Sequence, residues 1–299
     1  MLNKKLIFTL LFMSLLFIVT GCKRETISMV VPYGGPQFAQ LYMQDDKNYD
    51  VTIVEGADPL VAAFGSSGYD VIFAPTNLGA KLYDSKPDYQ LIASISWGSY
   101  YLVSESDFTL NDLTDSEIVS FGQNQTPDAI LKYILSENDI VPNFDYKDSL
   151  SSVVSSFILD SSKIYLLSEP SLSILSQTHT LTIIDLQDEY ETLTGYESYP
   201  QASVFAYKDL SEQQVSQIKE DLESSIENLN TNKEQTATLA IYLGIVMEES
   251  VIISAIPRFH IKYVDALDAK DDIIAYLELL QDFNPNFIGE ELPDQSFYR

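Results

Sequence analysis

Asp265, Asp268, Asp271 and Asp272 stand close enough in sequence to suggest a calcium site. An EF-hand alternates its ligands around an obligatory glycine, and this run has the wrong spacing for that. A helix start accounts for it instead, with Asp268 as N-cap, acids in the first turn, and Ile273, Ile274, Leu277 and Leu280 following on one face. The only histidines are His179 and His260, too few for a three-histidine zinc centre. The chain lacks G-x-G-x-x-G, a P-loop, H-E-x-x-H, C-x-x-C and G-x-S-x-G. No catalytic residue, metal or cofactor is therefore nominated from motifs.

Binding chemistry is suggested where strands give way to helices. The stretch "DVIFAPTNLGAKLY", residues 70 to 83, begins as a strand and ends as a helix, with Pro75, Thr76 and Asn77 at the joint. In an open α/β sheet, ligands sit beyond the carboxyl ends of the strands, where free N–H groups at helix starts attract polar atoms. Thr76 and Asn77 are thus candidates, with helix capping as the plain alternative. The same logic nominates Tyr33, Gly34 and Gly35 after the first strand, Trp97 and Gly98 after "LIASIS", and Asn124, Gln125 and Thr126 before a later helix. Trp97 is the only tryptophan, and packing is as natural a role for it as ligand stacking.

The elements that must hold these joints alternate. Strand patterns at "TISMVVPYG", "YDVTIVEG" and "YDVIFAP" are each followed by a helical pattern, and "YQLIASISWGSYYLVS" is long enough for two strands or a strand entering a hinge. From about residue 117 the rhythm restarts. A shift of 93 places sets Val61, Phe64, Val71 and Leu82 on Val154, Phe157, Ile164 and Leu175, and places Glu169 opposite Thr76. Glu169 then either caps the helix after Pro170 or faces a ligand N–H. After "ASVFAY" only helices are expected, one opened by a Ser211/Gln214 capping box. The expected architecture is two-lobed α/β, each lobe a mostly parallel sheet covered by helices and joined by a hinge. Lobe I takes residues 27–104 and 205–299, and lobe II residues 105–204.

The first residues read as an export signal. Lys4 and Lys5 precede an apolar run from Leu6 to Val19, shorter than the roughly 20 residues a membrane span needs. Val19-Thr20-Gly21-Cys22 resembles a bacterial lipobox, so residues 1–21 are expected to be a signal peptide, Cys22 the lipidated residue, and 22–26 a tether. With a single cysteine, no internal disulfide can form. The 44 acids against 17 bases, a formal charge of −27, make nucleic acid an improbable partner and are explained by a solvated surface.

The stretch from "PLVAAFGSSGYDVIFAPTNLGAKLY" through "LLSEP" to "AIPRFHIKYVDA" and "LLQDFNPNFIGEELPDQSFYR" resembles the solute-binding lipoproteins of ABC importers, nearest the taurine, alkanesulfonate, nitrate and thiamine-precursor group. The resemblance covers nearly all of the chain after Cys22. It implies a type II periplasmic-binding-protein fold and a monomeric, non-enzymatic receptor held by lipid at the outer face of the cell membrane. The implied partners are a small solute (a sulfonate, nitrate or nitrogenous heterocycle) and the permease and ATPase subunits of an importer. A small-molecule enzyme on the same fold, or an orphan surface lipoprotein acting as sensor or adhesin, are the competing readings. The chain departs from the group's pattern at Lys163 and Tyr165, and at Gly79, where alanine is expected.

Overall fold

The computed structural model describes residues 26–289 and 291–299, so the expected signal peptide, Cys22 and most of the tether lie outside the described residues. Two sheets organise the chain. The first has the strand order β11-β4-β10-β3-β1-β2 and the second β7-β6-β8-β5-β9. The first contains β1 (Ile27–Pro32), β2 (Tyr49–Val54), β3 (Val71–Pro75), β4 (Tyr89–Trp97), β10 (Pro200–Tyr207) and β11 (Ile261–Asp265). The second contains β5 (Tyr100–Ser104), β6 (Glu117–Phe121), β7 (Asn143–Lys147), β8 (Ile164–Ser168) and β9 (Thr182–Asp185).

Both sheets are mixed, and they are built alike. β1 pairs in parallel with β2 and β3, as β6 does with β7 and β8. One antiparallel strand then joins each triplet, β10 against β3 and β5 against β8. The 93-residue shift carries Val71–Pro75 onto Ile164–Ser168, which are β3 and β8 end to end.

Helices cover both sheets: α1 (Gly35–Ala39), α2 (Leu41–Gln44), α3 (Asp58–Ser66), α4 (Thr76–Ser85), α5 (Thr126–Glu137), α6 (Leu150–Leu159), α7 (Ser171–Ser176), α8 (Leu186–Thr194), α9 (Glu212–Thr231), α10 (Lys233–Tyr242), α11 (Glu249–Ala255) and α12 (Lys270–Phe283). Strand side chains alternate between faces. In β1, Met29 and Val31 pack with Phe38, Leu222 and Ile226 under α1 and α9, whereas Val30 turns to Phe64 and Leu91. That second cluster continues without a break into the other sheet through Leu102, Ile118 and Leu166. The opposite face of the second sheet buries Tyr101, Val103, Val119, Tyr165 and Leu167 against α6 and α7.

Several expectations need correction. The chain after Tyr207 contains a strand, β11, which pairs antiparallel with β4. Residues 100–104 pair in the second sheet and 200–204 in the first, because the chain changes sheet at Gly98 and again before Pro200. The residue before α12 is Ala269, with no side-chain cap; Asp265 instead accepts the Leu267 N–H at 3.0 Å and Lys219 at 2.7 Å. The capping box of Ser211 and Gln214 forms at the head of α9. The three departures from the group's pattern have local reasons. Lys163 pairs with Glu117 at 2.5 Å, and the Tyr165 hydroxyl donates to the Asp160 carbonyl. At Gly79 the Phe205 ring fills the space that any Cβ would require.

Candidate functional site

The carboxyl ends of β1, β3, β6 and β8 and the crossing between sheets define the candidate site. The crossing follows Trp97. Gly98 has φ +73, the left-handed region, and a Cβ there would lie 2.5 Å from Cγ of Gln187. Gln187 is buried and binds both crossing segments: its Oε1 accepts the Tyr100 N–H at 3.2 Å and the Tyr199 hydroxyl at 2.8 Å. Trp97 and Pro200 are register partners, so the two crossings run side by side. Trp97 is 7% exposed; its indole N–H donates to the Lys262 carbonyl at 3.0 Å, and its carbonyl accepts Ser198 Oγ at 2.6 Å. Its ring belongs to the crossing and its one polar atom is engaged.

At the first sheet's strand ends, Thr76 is buried and its Oγ1 lies 2.7 Å from Ser203 Oγ, which in turn lies 2.9 Å from Ser94 Oγ. This hydroxyl chain ties α4 to β10 and β4. Asn77 Nδ2 donates to the Phe287 carbonyl at 3.2 Å, while Asn77 Oδ1 is buried without a partner. Gln201, one residue before the Ala202–Pro75 register pair, repeats the pattern: its amide nitrogen reaches the Tyr100 hydroxyl at 3.2 Å and its Oε1 is buried and unpaired. Tyr33 is exposed, Gly34 takes φ +108 ahead of α1, and Gly35 leaves room beside Phe259.

In the second sheet, Asn124 sits at φ +57 and Gln125 is exposed at the head of α5. Asp128, fully buried in the first turn of that helix, accepts the Asn124 N–H at 2.8 Å, the Tyr146 hydroxyl at 2.6 Å and Lys132 Nζ at 2.9 Å. Glu169 caps α7: its oxygens accept the Ser173 N–H at 3.1 Å and hydroxyl at 2.9 Å, with Arg258, from the segment between α11 and β11, at 3.5 Å. Burial raises the Glu169 pKa, opposed by the Ser173 bonds and the Arg258 charge. Beside this pair, the Tyr101 hydroxyl donates to the Arg258 carbonyl at 2.7 Å and lies 2.8 Å from His260 Nε2, itself 3.3 Å from Asp185.

The nominated residues thus fall into separate settings. Thr76 and Asn77 adjoin Gln201. Thr126 stands beside the Tyr276 hydroxyl of α12, short of hydrogen-bond geometry. Glu169 joins Arg258, and Trp97 and Gly98 form the crossing. Sequence reasoning missed Gln201, Arg258 and a tyrosine row. Tyr100 stacks on Tyr199 at 6.4 Å and Tyr199 on Tyr276 at 5.8 Å, with burial raising the pKa of all three hydroxyls so that they stay neutral. "YPQAS" could have shown Gln201, as a polar residue opening an apolar strand. Among the described residues, no group of three or more His, Cys, Asp or Glu side chains could hold a metal ion.

No family model matches the chain, and no curated protein matches it. Solved structures do. An ABC transporter protein from Parabacteroides distasonis aligns with a TM-score of 0.82 at 23% identity over 92% of this chain and 99% of its own. The periplasmic aliphatic sulphonate-binding protein SsuA of Escherichia coli aligns with a TM-score of 0.69 at 12% identity over 92% of each chain. The ligand-binding component of an ABC-type import system from Staphylococcus aureus, with zinc bound, gives 0.67 at 13% identity over 91% and 96%. The twin mixed sheets and the paired crossings are therefore those of the two-lobed type II periplasmic-binding-protein fold.

Proposed function

We propose that the chain is an extracytoplasmic solute-binding receptor of an ABC importer, which closes two lobes on a small solute and presents it to a permease. The observation that carries this reading is the double crossing at Trp97–Tyr100 and Tyr199–Pro200, with the carboxyl ends of β3 and β8 beside it at Pro75 and Ser168. Two adjacent crossings make a hinge, and hinge closure around a ligand is the motion such an architecture permits. The likeness in fold to ligand-binding components of importers supports it. Lobe I corresponds to the first sheet with its helices, lobe II to the second.

The nominated residues keep graded roles in this reading. Asn77 and Thr126 line the gap, Thr76 and Glu169 hold their helices in place, and Trp97 and Gly98 serve the hinge. Cys22 anchors the receptor by lipid, and two acyl chains would hold it stably. The receptor works without catalysis.

The test is solute binding by the purified protein, followed through chain compaction in small-angle X-ray scattering. A solute that compacts the protein and is recovered chemically unchanged supports the receptor. Conversion of the solute would make it an enzyme. Retention of a processed Cys22→Ala protein on membranes would refute the lipid anchor.

A further inference from the structure

We infer that the solute is an uncharged molecule presenting N–H donors, such as an amide or an amino-substituted ring, and is not a bare oxyanion; this rests on the receptor reading above. The helix starts that would serve an anion in lobe II each already carry a buried carboxylate. Asp128 sits buried in the first turn of α5 and accepts the Asn124 N–H from the loop before it, and Glu169 at the head of α7 accepts the Ser173 N–H. A second negative charge at either place would meet a fixed carboxylate. The cations that could offset it are spent as well, Lys132 on Asp128 at 2.9 Å and Arg258 on Glu169 at 3.5 Å. The formal charge of −27 adds a long-range bias against anions.

What stands beside the crossing in place of cations is unpaired neutral polar atoms. Asn77 Oδ1, one end of the Gln201 amide and the Tyr276 hydroxyl are buried without partners. They lie on α4, β10 and α12, and both helices pack against β10. The Asn77 orientation is fixed by its bond to the Phe287 carbonyl, because turning the amide would set oxygen against oxygen. Its free atom is therefore an acceptor and asks for an N–H or O–H. The Gln201 amide could turn, since the Tyr100 hydroxyl can give or accept, and Tyr276 can do either too. One fixed acceptor beside two adaptable groups suits a neutral ligand with a donor edge. Burying such atoms unsatisfied is costly, so a ligand that satisfies them gains that cost back as selectivity.

The experiment equilibrates the purified protein with a small-molecule extract of cells, isolates it by gel filtration and identifies what it carries by mass spectrometry. Nitrate, sulfate and ethanesulfonate are added separately in thermal melts. The expected result is an uncharged, N–H-bearing compound on the protein and unmoved melts with the three anions. Its affinity should fall about tenfold in Asn77→Ser. Gln201→Ala should weaken it as well, in a protein whose empty melting temperature shows that it still folds. Capture of an oxyanion, or stabilisation by any of the three anions, overturns the inference while leaving the receptor standing. Capture of nothing at all overturns the receptor reading, and the inference falls with it.

Discussion

The side chain of Gln187 occupies the space that a Cβ on Gly98 would need, coming to 2.5 Å. Gln187 cannot simply move aside, because it is buried and bonded to Tyr100, Tyr199 and Asp185. Gly98→Ala adds the cost of a left-handed backbone to that collision. The expected loss is about 2–4 kcal/mol by urea unfolding. A change within about 0.5 kcal/mol, the range of an ordinary surface substitution, would show that the crossing is looser than the packing implies.

Gly79 poses the same problem in the core. Its missing side chain is replaced by the Phe205 ring, which also meets Phe64 edge-on at 5.4 Å. Gly79→Ala should cost about 1–3 kcal/mol through overpacking. Adding Phe205→Leu should recover part of the loss in a double-mutant cycle. Strictly additive losses would mean the two residues do not share that space.

Arg258 and Glu169 give a pH-dependent prediction. The Glu169 pKa is raised above its ordinary 4.5, with burial the largest cause. The folded state then holds more protons than the unfolded state above that pH, so this group's contribution to stability falls as pH rises through the interval. Glu169→Gln cannot titrate. The stability difference, wild type minus variant, should therefore be most favourable at acid pH and decline from about pH 4.5 upward. Arg258→Ala, which leaves the carboxylate without its cation, should steepen that decline. A difference that grows with pH would reverse the assignment.

Trp97 offers a direct optical check. Its ring is buried and its N–H is bonded within the protein, so its emission should lie at short wavelength and resist quenching by iodide. Any ligand-induced change then reports movement at the crossing. If iodide quenched the empty protein as it does free tryptophan, the indole would have to be placed in the open gap.

Much of the parallel framework is legible in the sequence because its strands are buried on both faces and read as apolar runs. β3 and β8 show up as "VIFAP" and "IYLLS". The strands that escape are β7, β9 and β11, and all three stand at sheet edges. An edge strand has one neighbour and partly exposed faces, so "NFDYK", "TIID" and "IKYVD" carry charges and only short apolar alternation. The site divides similarly. Strand-to-helix joints announce themselves through proline, glycine and capping residues, which is how Thr76 and Asn77 are found. Arg258 meets Glu169 from 89 positions away, and no local pattern encodes that contact.

β10 lies between β3 and β4 at the middle of the first sheet, yet it is made after the whole second sheet. During synthesis the chain therefore delivers β1 to β4 with a vacant central lane. β3 and β4 have no ladder to each other, and only the arrival of residues 200–207 joins them. The second sheet is continuous from Tyr100 to Asp185 and has every strand it needs before that moment. The part encoded first is thus finished last. Until then its apolar strands depend on whatever keeps unfinished chains from sticking to one another.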